Sequence, residues 1–206
     1  MLTILGRNNS INVQKVMWTC SEIGCQTERR DIGGEFGGNN TPEYLKKNPT
    51  GQIPTLIDGK YILWESNTIV RYISDTYGDT PWQPKDKKIC FLGHQWMDFY
   101  IASLHPAMTT IFWQLIRTPI EKRNESAIQH AHKKATILWG LVNEHLRKNS
   151  FILGPHVTFS DVPMGCAVYR WYNLDIKRAN YYHLESWYDR LSKRHPYQEN
   201  VMLPLT

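Results

Sequence analysis

The sequence has neither the long apolar run of a membrane-spanning helix nor the cysteine content of a disulfide-rich secreted protein. No stretch of about 18 consecutive apolar residues occurs in the 206-residue chain, and Met1–Arg7 lacks the long apolar region of a signal peptide. Four cysteines are too few for a disulfide framework at this length, and Cys20 and Cys25 do not form a C-x-x-C pair. We therefore expect a cytoplasmic protein with reduced thiols and no membrane contact.

Metal and nucleic-acid binding are not indicated either. His130 and His132 are two positions apart and so point to different faces of a helix, and no cysteine pair supports a metal site. The net charge is +5, but the basic residues are dispersed, and the clusters Lys85–Lys88 and Lys133–Lys134 are short and lack interleaved aromatic residues. We expect no metal and no nucleic-acid partner, whereas a mild positive field suits an anionic small substrate.

The first 79 residues predict a sheet flanked by helices. Leu2–Leu5 has the pattern of a strand, and the apolar residues after Asn12 have helical spacing up to a stop at Gly24, which makes Asn12 the expected N-cap. Further elements are expected in this order: an edge strand at 26–32, a short helix from Thr41, two hairpin strands around Asp58–Gly59, and a helix from Ser66 to Tyr77. With a cis-proline before the third strand, this order is that of the thioredoxin fold.

Strand signals largely vanish after the proline-rich stretch Thr80–Pro84, and helical periodicity replaces them. Two long helical stretches are expected, one at 86–117 with a kink at Pro106 and one at 120–148. Long antiparallel helices imply a helical bundle.

The start of one further helix has a capping signal. Thr158 is expected as its N-cap and Asp161 at its third helical position, in the manner of a capping box. The whole chain then divides into an α/β thioredoxin-like domain at 1–79, a linker at 80–87, and an all-α C-terminal helical bundle domain at 88–206.

The stretch Asn48–Ile57 has features of a ligand site. Pro54 opens a short apolar strand, and a proline at a strand start can hold a cis bond. A cis bond here would turn the N–H and C=O of Ile53 outward, where they could pair with an extended ligand backbone. After the hairpin, Ser66 or Asn67 can cap a helix whose N-terminus favours a carboxylate.

This stretch resembles the glutathione-binding half of the cytosolic glutathione transferases. The family pattern is roughly N-P-x-G-x-[IV]-P-x-L, then a hairpin, then E-S before a helix, and every fixed position is present: Asn48, Pro49, Gly51, Ile53, Pro54, Leu56, Glu65 and Ser66. The resemblance implies a homodimeric detoxification enzyme that conjugates the thiolate of its co-substrate glutathione to small electrophiles. Two alternatives stay open: a glutathione-dependent disulfide or peroxide reductase, and a non-enzymatic interaction protein of the same fold.

The loop before the first helix is where members of this family hold the glutathione thiol. Many use Tyr or Ser there, but this loop has no Tyr, and Ser10–Val16 is instead similar to a bacterial subgroup with the pattern S/T-x-N-x-x-K-[VI]. The resemblance implies Asn12 as the main thiol contact and Ser10 as the second, with Asn9 as a third candidate. Asn12 could also serve only as a helix cap, and both roles need the same location.

The remaining groups of glutathione have candidate partners from the same resemblance. Glu65 is expected at the ammonium and Ser66 at the carboxylate of the γ-glutamyl end, while Ile53, fixed by Pro54, is expected to pair with the cysteinyl backbone. The glycyl carboxylate needs a cation or an amide donor, and the candidates, which could equally be solvated surface residues, are Lys47, Lys46 and Gln52.

The electrophile is expected to bind between the two domains. Its expected walls are Arg7, Phe36, Met108, Phe112, Trp113 and Arg117. A series of Met and aromatic residues at helical spacing also fits a packed core. Arg117 would favour acidic electrophiles such as haloacids, although a cation at a helix C-terminus is also expected from the helix dipole.

Overall fold

The computed structural model describes all 206 residues. The first part of the chain forms a sheet and three helices: β1 (Leu2–Leu5), α1 (Ile11–Ile23), β2 (Thr27–Arg30), α2 (Pro42–Leu45), β3 (Thr55–Asp58), β4 (Tyr61–Trp64) and α3 (Ser66–Tyr77). The strand order is β2-β1-β3-β4, with β1 and β2 parallel and the other neighbours antiparallel. The Ile53–Pro54 bond before β3 is cis. The thioredoxin-like fold predicted from the sequence is thereby confirmed.

The two faces of the sheet are covered by different helices. Ile4 and Leu56 pair across β1 and β3, and both are fully buried in the same apolar cluster as residues of α1 and α3. Thr55 points to the opposite face, because side chains alternate along a strand. Its hydroxyl lies 2.9 Å from the hydroxyl of Tyr44 in α2. Helices α1 and α3 therefore cover one face and α2 the other.

The rest of the chain is helical, in agreement with the predicted fold class. Its main helices are α4 (Lys87–Phe99), α5 (His105–Phe112), α6 (Glu125–Leu146), α7 (Asp161–Asn173), α8 (Tyr182–Ser192) and α9 (His195–Asn200). Helix α7 is the core helix, since every residue from Asp161 to Trp171 is buried. None of these helices combines the length and the apolar character that crossing a bilayer requires.

The helical stretch from Lys87 to Arg117 is continuous but not uniform. The turns Tyr100–Leu104 and Trp113–Arg117 are π-helical. The sequence predicts a kink at Pro106, whereas this proline lies directly after the first π-helical turn, in the first turn of α5. Its missing N–H therefore coincides with a place where the hydrogen-bond ladder is already widened.

Two helices begin differently from the sequence prediction. Helix α1 begins directly after Ser10, so Asn12 lies inside the first turn and is not the cap. Helix α3 begins at Ser66 with Glu65 in the N-cap position, so neither Ser66 nor Asn67 caps it. Because neither N-cap side chain makes a capping bond, the first N–H groups of both helices have no acceptor in the chain. Both helix N-termini are thus available to an anionic ligand.

The predicted capping box of α7 is formed only in part. The helix begins at Asp161 with Ser160, not Thr158, in the N-cap position. The Asp161 carboxylate nevertheless accepts hydrogen bonds from the N–H groups of Thr158 and Ile152 and from Nε1 of Trp187, each at 3.0 Å. This buried carboxylate joins three segments of the helical part.

The two parts of the chain meet in a packed interface. Trp18 of α1 packs edge-on against Tyr197 of α9, with ring centroids 4.8 Å apart. Gly165 makes room for Trp18, because a Cβ at this position would lie 2.6 Å from the indole ring. Glu22 accepts two hydrogen bonds from the Arg194 guanidinium, at 2.7 and 2.6 Å. These contacts fix α1, and with it the loop before α1, against the helical part.

Candidate active site

The loop that leads into β3 is organised by the buried side chain of Asn48. Its Oδ1 accepts hydrogen bonds from the N–H and the hydroxyl of Thr50, and its Nδ2 donates to the Gln52 carbonyl at 2.8 Å. Gly51 has a left-handed φ of 64°, which favours glycine. The N–H and C=O of Ile53 are left without a backbone partner in the chain. They are therefore available to the backbone of an extended ligand.

At the start of α3 a carboxylate, that of Glu65, and a hydroxyl, that of Ser66, come one after the other in the chain. Glu65 has a φ of 70° and is the one non-glycine residue with a positive φ. Such a conformation costs on the order of 1–3 kcal/mol and is typical of functional sites. Glu65 is exposed, whereas Ser66 is buried and its Oγ donates to Oδ1 of Asn12 at 3.2 Å. The starts of α1 and α3 are thus directly connected.

The amide of Asn12 is oriented by two donors. Its Oδ1 accepts hydrogen bonds from Nζ of Lys15 at 3.0 Å and from Oγ of Ser66 at 3.2 Å. Because both bonds end on the oxygen, the Nδ2 group is the part of the amide left to donate. Asn12 lines the cleft between the two parts of the chain, so that this donor is available to a ligand there.

Lys15 is a fully buried cation at the junction of the two parts. Its Nζ lies 3.0–3.4 Å from side-chain oxygen atoms of Asn12, Ser66 and Asn67, and 4.7 Å from the centroid of the Tyr100 ring. Burial lowers the pKa of Lys15 to about 8. A positive charge in this place adds to the potential that a bound anion would experience beside Asn12.

The two other thiol-contact candidates differ in how they are engaged. Ser10 lines the cleft, and its hydroxyl makes no capping bond. Asn9 also lines the cleft, but its Oδ1 accepts a hydrogen bond from the Arg7 guanidinium and its Nδ2 donates to the Thr206 hydroxyl at 2.6 Å. Asn12 and Ser10 therefore present free donors to the cleft, whereas the amide of Asn9 is held by its neighbours.

The cleft between the two parts has a volume of about 190 Å³. Eight of the residues predicted for the site line it: Arg7, Asn9, Ser10, Asn12, Gln52, Phe112, Trp113 and Arg117. Four further predicted residues are connected to this lining: Ile53 and Pro54 follow Gln52 in the chain, and Ser66, which donates to Asn12, follows Glu65.

Three predicted residues lie elsewhere. Met108 is 3% exposed and belongs to the core, because its side of α5 packs into the bundle. Phe36 lies in a short 3₁₀ turn, is 52% exposed and does not line this cleft. The ammonium of Lys47 donates to the Glu43 carbonyl at 2.9 Å, so this side chain already has a partner on α2. Met108 and Phe36 are therefore corrections to the predicted cleft walls.

The walls of the cleft carry cationic groups and no carboxylate. Arg7, Arg117 and Arg170 line it together with His105, and no Asp or Glu does. Burial, together with the nearby charges of Lys15 and Arg170, lowers the pKa of His105 to about 4, so that its imidazole is neutral at physiological pH. This charge distribution suits an anionic ligand.

Sequence reasoning missed the roles of Lys15, His105 and Arg170. Lys15 occupies the Lys position of the S/T-x-N-x-x-K-[VI] pattern, which was a usable signal. Arg170 is the one charged residue in the otherwise apolar run Val162–Trp171, and a charge inside a buried helix indicates a partner or a ligand. His105 carried no comparable signal.

Known proteins are similar to this chain in both sequence and fold. Residues 1–75 match the family model for the N-terminal domain of glutathione S-transferases. The chain is 33% identical to the glutathione S-transferase GstB of Escherichia coli strain K12 over 214 residues, which cover all of both proteins. The structure of a theta class glutathione S-transferase from the citrus canker pathogen Xanthomonas axonopodis pv. citri, with glutathione bound, is similar with a TM-score of 0.96 and 37% identity, covering 100% of this chain and 99% of the other.

Proposed function

The chain belongs to the glutathione S-transferase family, and we propose that Asn12 and Ser10 hold the glutathione thiolate in its cleft. The protein is a glutathione transferase: the thiolate sulfur forms a bond to a small electrophile while the leaving group departs with its electron pair. The observation that supports this assignment best is the orientation of Asn12, whose oxygen is occupied by Lys15 and Ser66 while its Nδ2 group remains free.

The available donors are sufficient to activate the thiol. A free cysteine thiol has a pKa of about 8.5, so only a few per cent is thiolate at pH 7. Lowering this pKa by ~2 units requires ~2.7 kcal/mol of preferential thiolate stabilisation. One hydrogen bond to a charged group contributes ~1.5–3 kcal/mol. The amide of Asn12 and the hydroxyl of Ser10 can therefore supply the shift, and the N-terminus of α1 and the ammonium of Lys15 add to it.

The rest of glutathione is proposed to lie along the edge of the thioredoxin-like part. The free backbone groups of Ile53 pair with the cysteinyl backbone, and Glu65 holds the ammonium. The N-terminus of α3 holds the γ-glutamyl carboxylate together with the Ser66 hydroxyl, whose one hydrogen turns from Asn12 to this carboxylate and leaves Lys15 to orient the Asn12 amide. Gln52 is exposed on the cleft wall and is the preferred donor to the glycyl carboxylate. Lys47 is the weaker candidate because its ammonium is engaged on α2.

Two measurements test this function together. We expect the protein to be retained on immobilised glutathione and to conjugate glutathione to 1-chloro-2,4-dinitrobenzene. A disulfide substrate assayed beside it separates conjugation from disulfide reduction, and faster turnover of the disulfide would favour the reductase. Neither retention nor conjugation by a protein with native circular dichroism would contradict the proposed function.

We also propose that two copies form a symmetric homodimer. Phe91 and Leu92 are neighbours on α4, and their side chains are 71% and 52% exposed. The Phe91 ring lies 5.8 Å from His94, which lines a groove of about 410 Å³ together with Tyr61 and Tyr72. An apolar projection beside a groove suits an isologous interface, in which Phe91 of one copy enters the groove of the other.

Light scattering tests the dimer. The chain has a mass of 24.2 kDa, so we expect about twice this mass at micromolar concentration. Phe91→Glu should yield a folded monomer, whereas Glu121→Gln, in the exposed turn Ile120–Lys122 outside α4 and the groove, should leave the dimer intact. A monomeric wild-type protein would refute the proposal.

We further propose that the protein acts in the cytoplasm. Its role there would be the detoxification of electrophiles. All four cysteines are free thiols in the structure. Free thiols persist in compartments where glutathione keeps them reduced, and these compartments also supply the co-substrate. Fractionation of cells followed by activity measurement would test the location.

A further inference from the structure

The guanidinium of Arg170 is buried without a counterion. Arg170 lies on the core helix α7 and is 8% exposed, and its Nε has no hydrogen-bond partner. It takes part in none of the salt bridges of the chain. Instead, its guanidinium lies 3.8 Å from the centroid of the Phe112 ring. A buried charge is ordinarily paired, so an unpaired one on a cleft wall indicates that a ligand supplies the partner.

The other arginines of the cleft are already engaged. Arg117 donates from Nε and Nη2 to the Thr206 carbonyl, at 3.2 and 2.7 Å. The Arg7 guanidinium donates from Nη1 to Oδ1 of Asn9, while its Nε has no hydrogen-bond partner. Arg170 is therefore the cleft arginine whose side chain makes no hydrogen bond at all.

The groups that face Arg170 make an anion favourable there. Its charged neighbours are Arg7 and Arg117 in the cleft and Lys15 behind it, and its titratable neighbours Tyr100 and Cys166 are neutral at physiological pH because burial raises the pKa of both. No carboxylate lines the cleft.

We propose that Arg170 anchors a carboxylate carried by the electrophile, so that the enzyme selects small electrophiles with a carboxylate group. This inference rests on the proposed function, because it concerns the second substrate of the same reaction. With one face against Phe112, the guanidinium keeps its N–H edge for a ligand, and this edge matches a carboxylate through two parallel hydrogen bonds. Phe112 and Trp113, on the same cleft wall, suit an aromatic ring between Arg170 and the thiolate at Asn12.

Two electrophiles that differ only in the carboxylate group measure the effect of that group on the reaction. In 4-chloro-3-nitrobenzoate the thiolate sulfur bonds to the ring carbon that carries chlorine, and chloride leaves with the electron pair of the C–Cl bond. The thiol proton has already passed to water, and the carboxylate is unchanged. The second probe, 4-chloro-3-nitrobenzamide, has the same ring and leaving group but no charge.

The quantity to measure is the ratio of kcat/KM for the benzoate to that for the amide. We expect Arg170→Met to lower this ratio by about 10- to 150-fold, the effect of losing a charge-assisted hydrogen bond. Arg170→Lys, which keeps the charge but not the planar fork, should lower it less. Arg147→Met removes an equal charge from an exposed ion pair with Glu144 and should leave the ratio unchanged.

Two results would overturn the inference. The first is an unchanged ratio in folded Arg170→Met, and if both rates fall equally, Arg170 is assigned to the thiolate instead. The second uses only the wild-type protein: 3-nitrobenzoate should inhibit conjugation of the amide probe at least about 10-fold more strongly than 3-nitrobenzamide, and equal inhibition would refute a carboxylate anchor. Conjugation of neither probe by a protein that conjugates 1-chloro-2,4-dinitrobenzene would count against this inference alone, whereas conjugation of none of the three would overturn the proposed function and this inference with it.

Discussion

Replacing Asn12 by aspartate separates a structural role of this residue from a chemical one. Aspartate keeps an oxygen for Lys15 and Ser66, which donate to Asn12 at 3.0 and 3.2 Å, so the fold should be retained. It removes the Nδ2 donor, and the thiolate loses ~1.5–3 kcal/mol, or about one to two pKa units. The added negative charge raises the thiol pKa further, although the ammonium of Lys15 offsets part of this repulsion.

The expected change in activity follows from the thiolate fraction. If the bound thiol starts at a pKa of ~6.5, a rise of one to two units lowers the thiolate fraction at pH 7 from ~75% to between ~25% and ~3%. Titrating the ultraviolet absorbance of the thiolate in the glutathione complex measures the pKa directly. Asn12→Ala is the matched control, because it loses the donor without adding a charge and should give the smaller shift. If Asn12→Asp keeps the wild-type thiol pKa and rate, the reasoning is wrong, and Ser10 becomes the leading donor.

Three further substitutions test neighbouring parts of the site and the core. Lys15→Met should raise the pKa of the bound thiol by less than Asn12→Asp, because the Asn12 amide loses one of its two orienting donors. Burial lowers the pKa of Lys15 to about 8, so the native state releases this proton at a lower pH than the unfolded state does. The free energy of unfolding of the wild type should therefore rise between pH 8 and about 10, relative to that of Lys15→Met. Denaturant titrations of both proteins over this pH range measure the difference. Ser66→Ala should weaken glutathione binding about 10- to 150-fold in calorimetry with unchanged circular dichroism, and unchanged affinity would remove Ser66 from the site. Asp161→Ala leaves buried donors of Thr158 and other segments without an acceptor and should lower the free energy of unfolding by ~2 kcal/mol or more, whereas Asp161→Asn, which keeps one acceptor oxygen, should lower it less.

The parts of the molecule that depend on local pattern were predictable from the sequence. The strands around the hairpin and the cis bond at Pro54 follow from a short apolar run with a proline at its start. The cap of α1 was not predictable in this way. Asn12 is a good cap residue by type, but its oxygen is taken by Ser66, which is 54 positions away in the chain, and by Lys15 one turn along the helix. A tertiary contact has therefore overridden a local preference.

The second-substrate cleft was predicted less completely, for a related reason. Periodicity shows that a helix has an apolar face, but it does not show whether that face meets the core or a cleft. Met108 and Phe112 are four apart on α5, and both are buried, yet only Phe112 reaches the cleft wall. Arg170 lies on that wall because α7 packs against α1, an arrangement that only the three-dimensional structure reveals.

The cationic groups at the junction have a physical consequence for the whole molecule. Lys15 and Arg170 are both buried there without a hydrogen-bonded carboxylate partner, and the charge of Arg170 adds to the burial that lowers the pKa of Lys15. Their repulsion opposes the association of the two parts of the chain, so contacts elsewhere must hold the parts together. The packing of Trp18 on Tyr197 and the ion pair between Glu22 and Arg194 do so, at the other end of α1 from the cleft. The interface thus keeps two positive charges at the cleft, where that of Lys15 favours the thiolate proposed to bind beside Asn12 and that of Arg170 favours the carboxylate proposed for the electrophile.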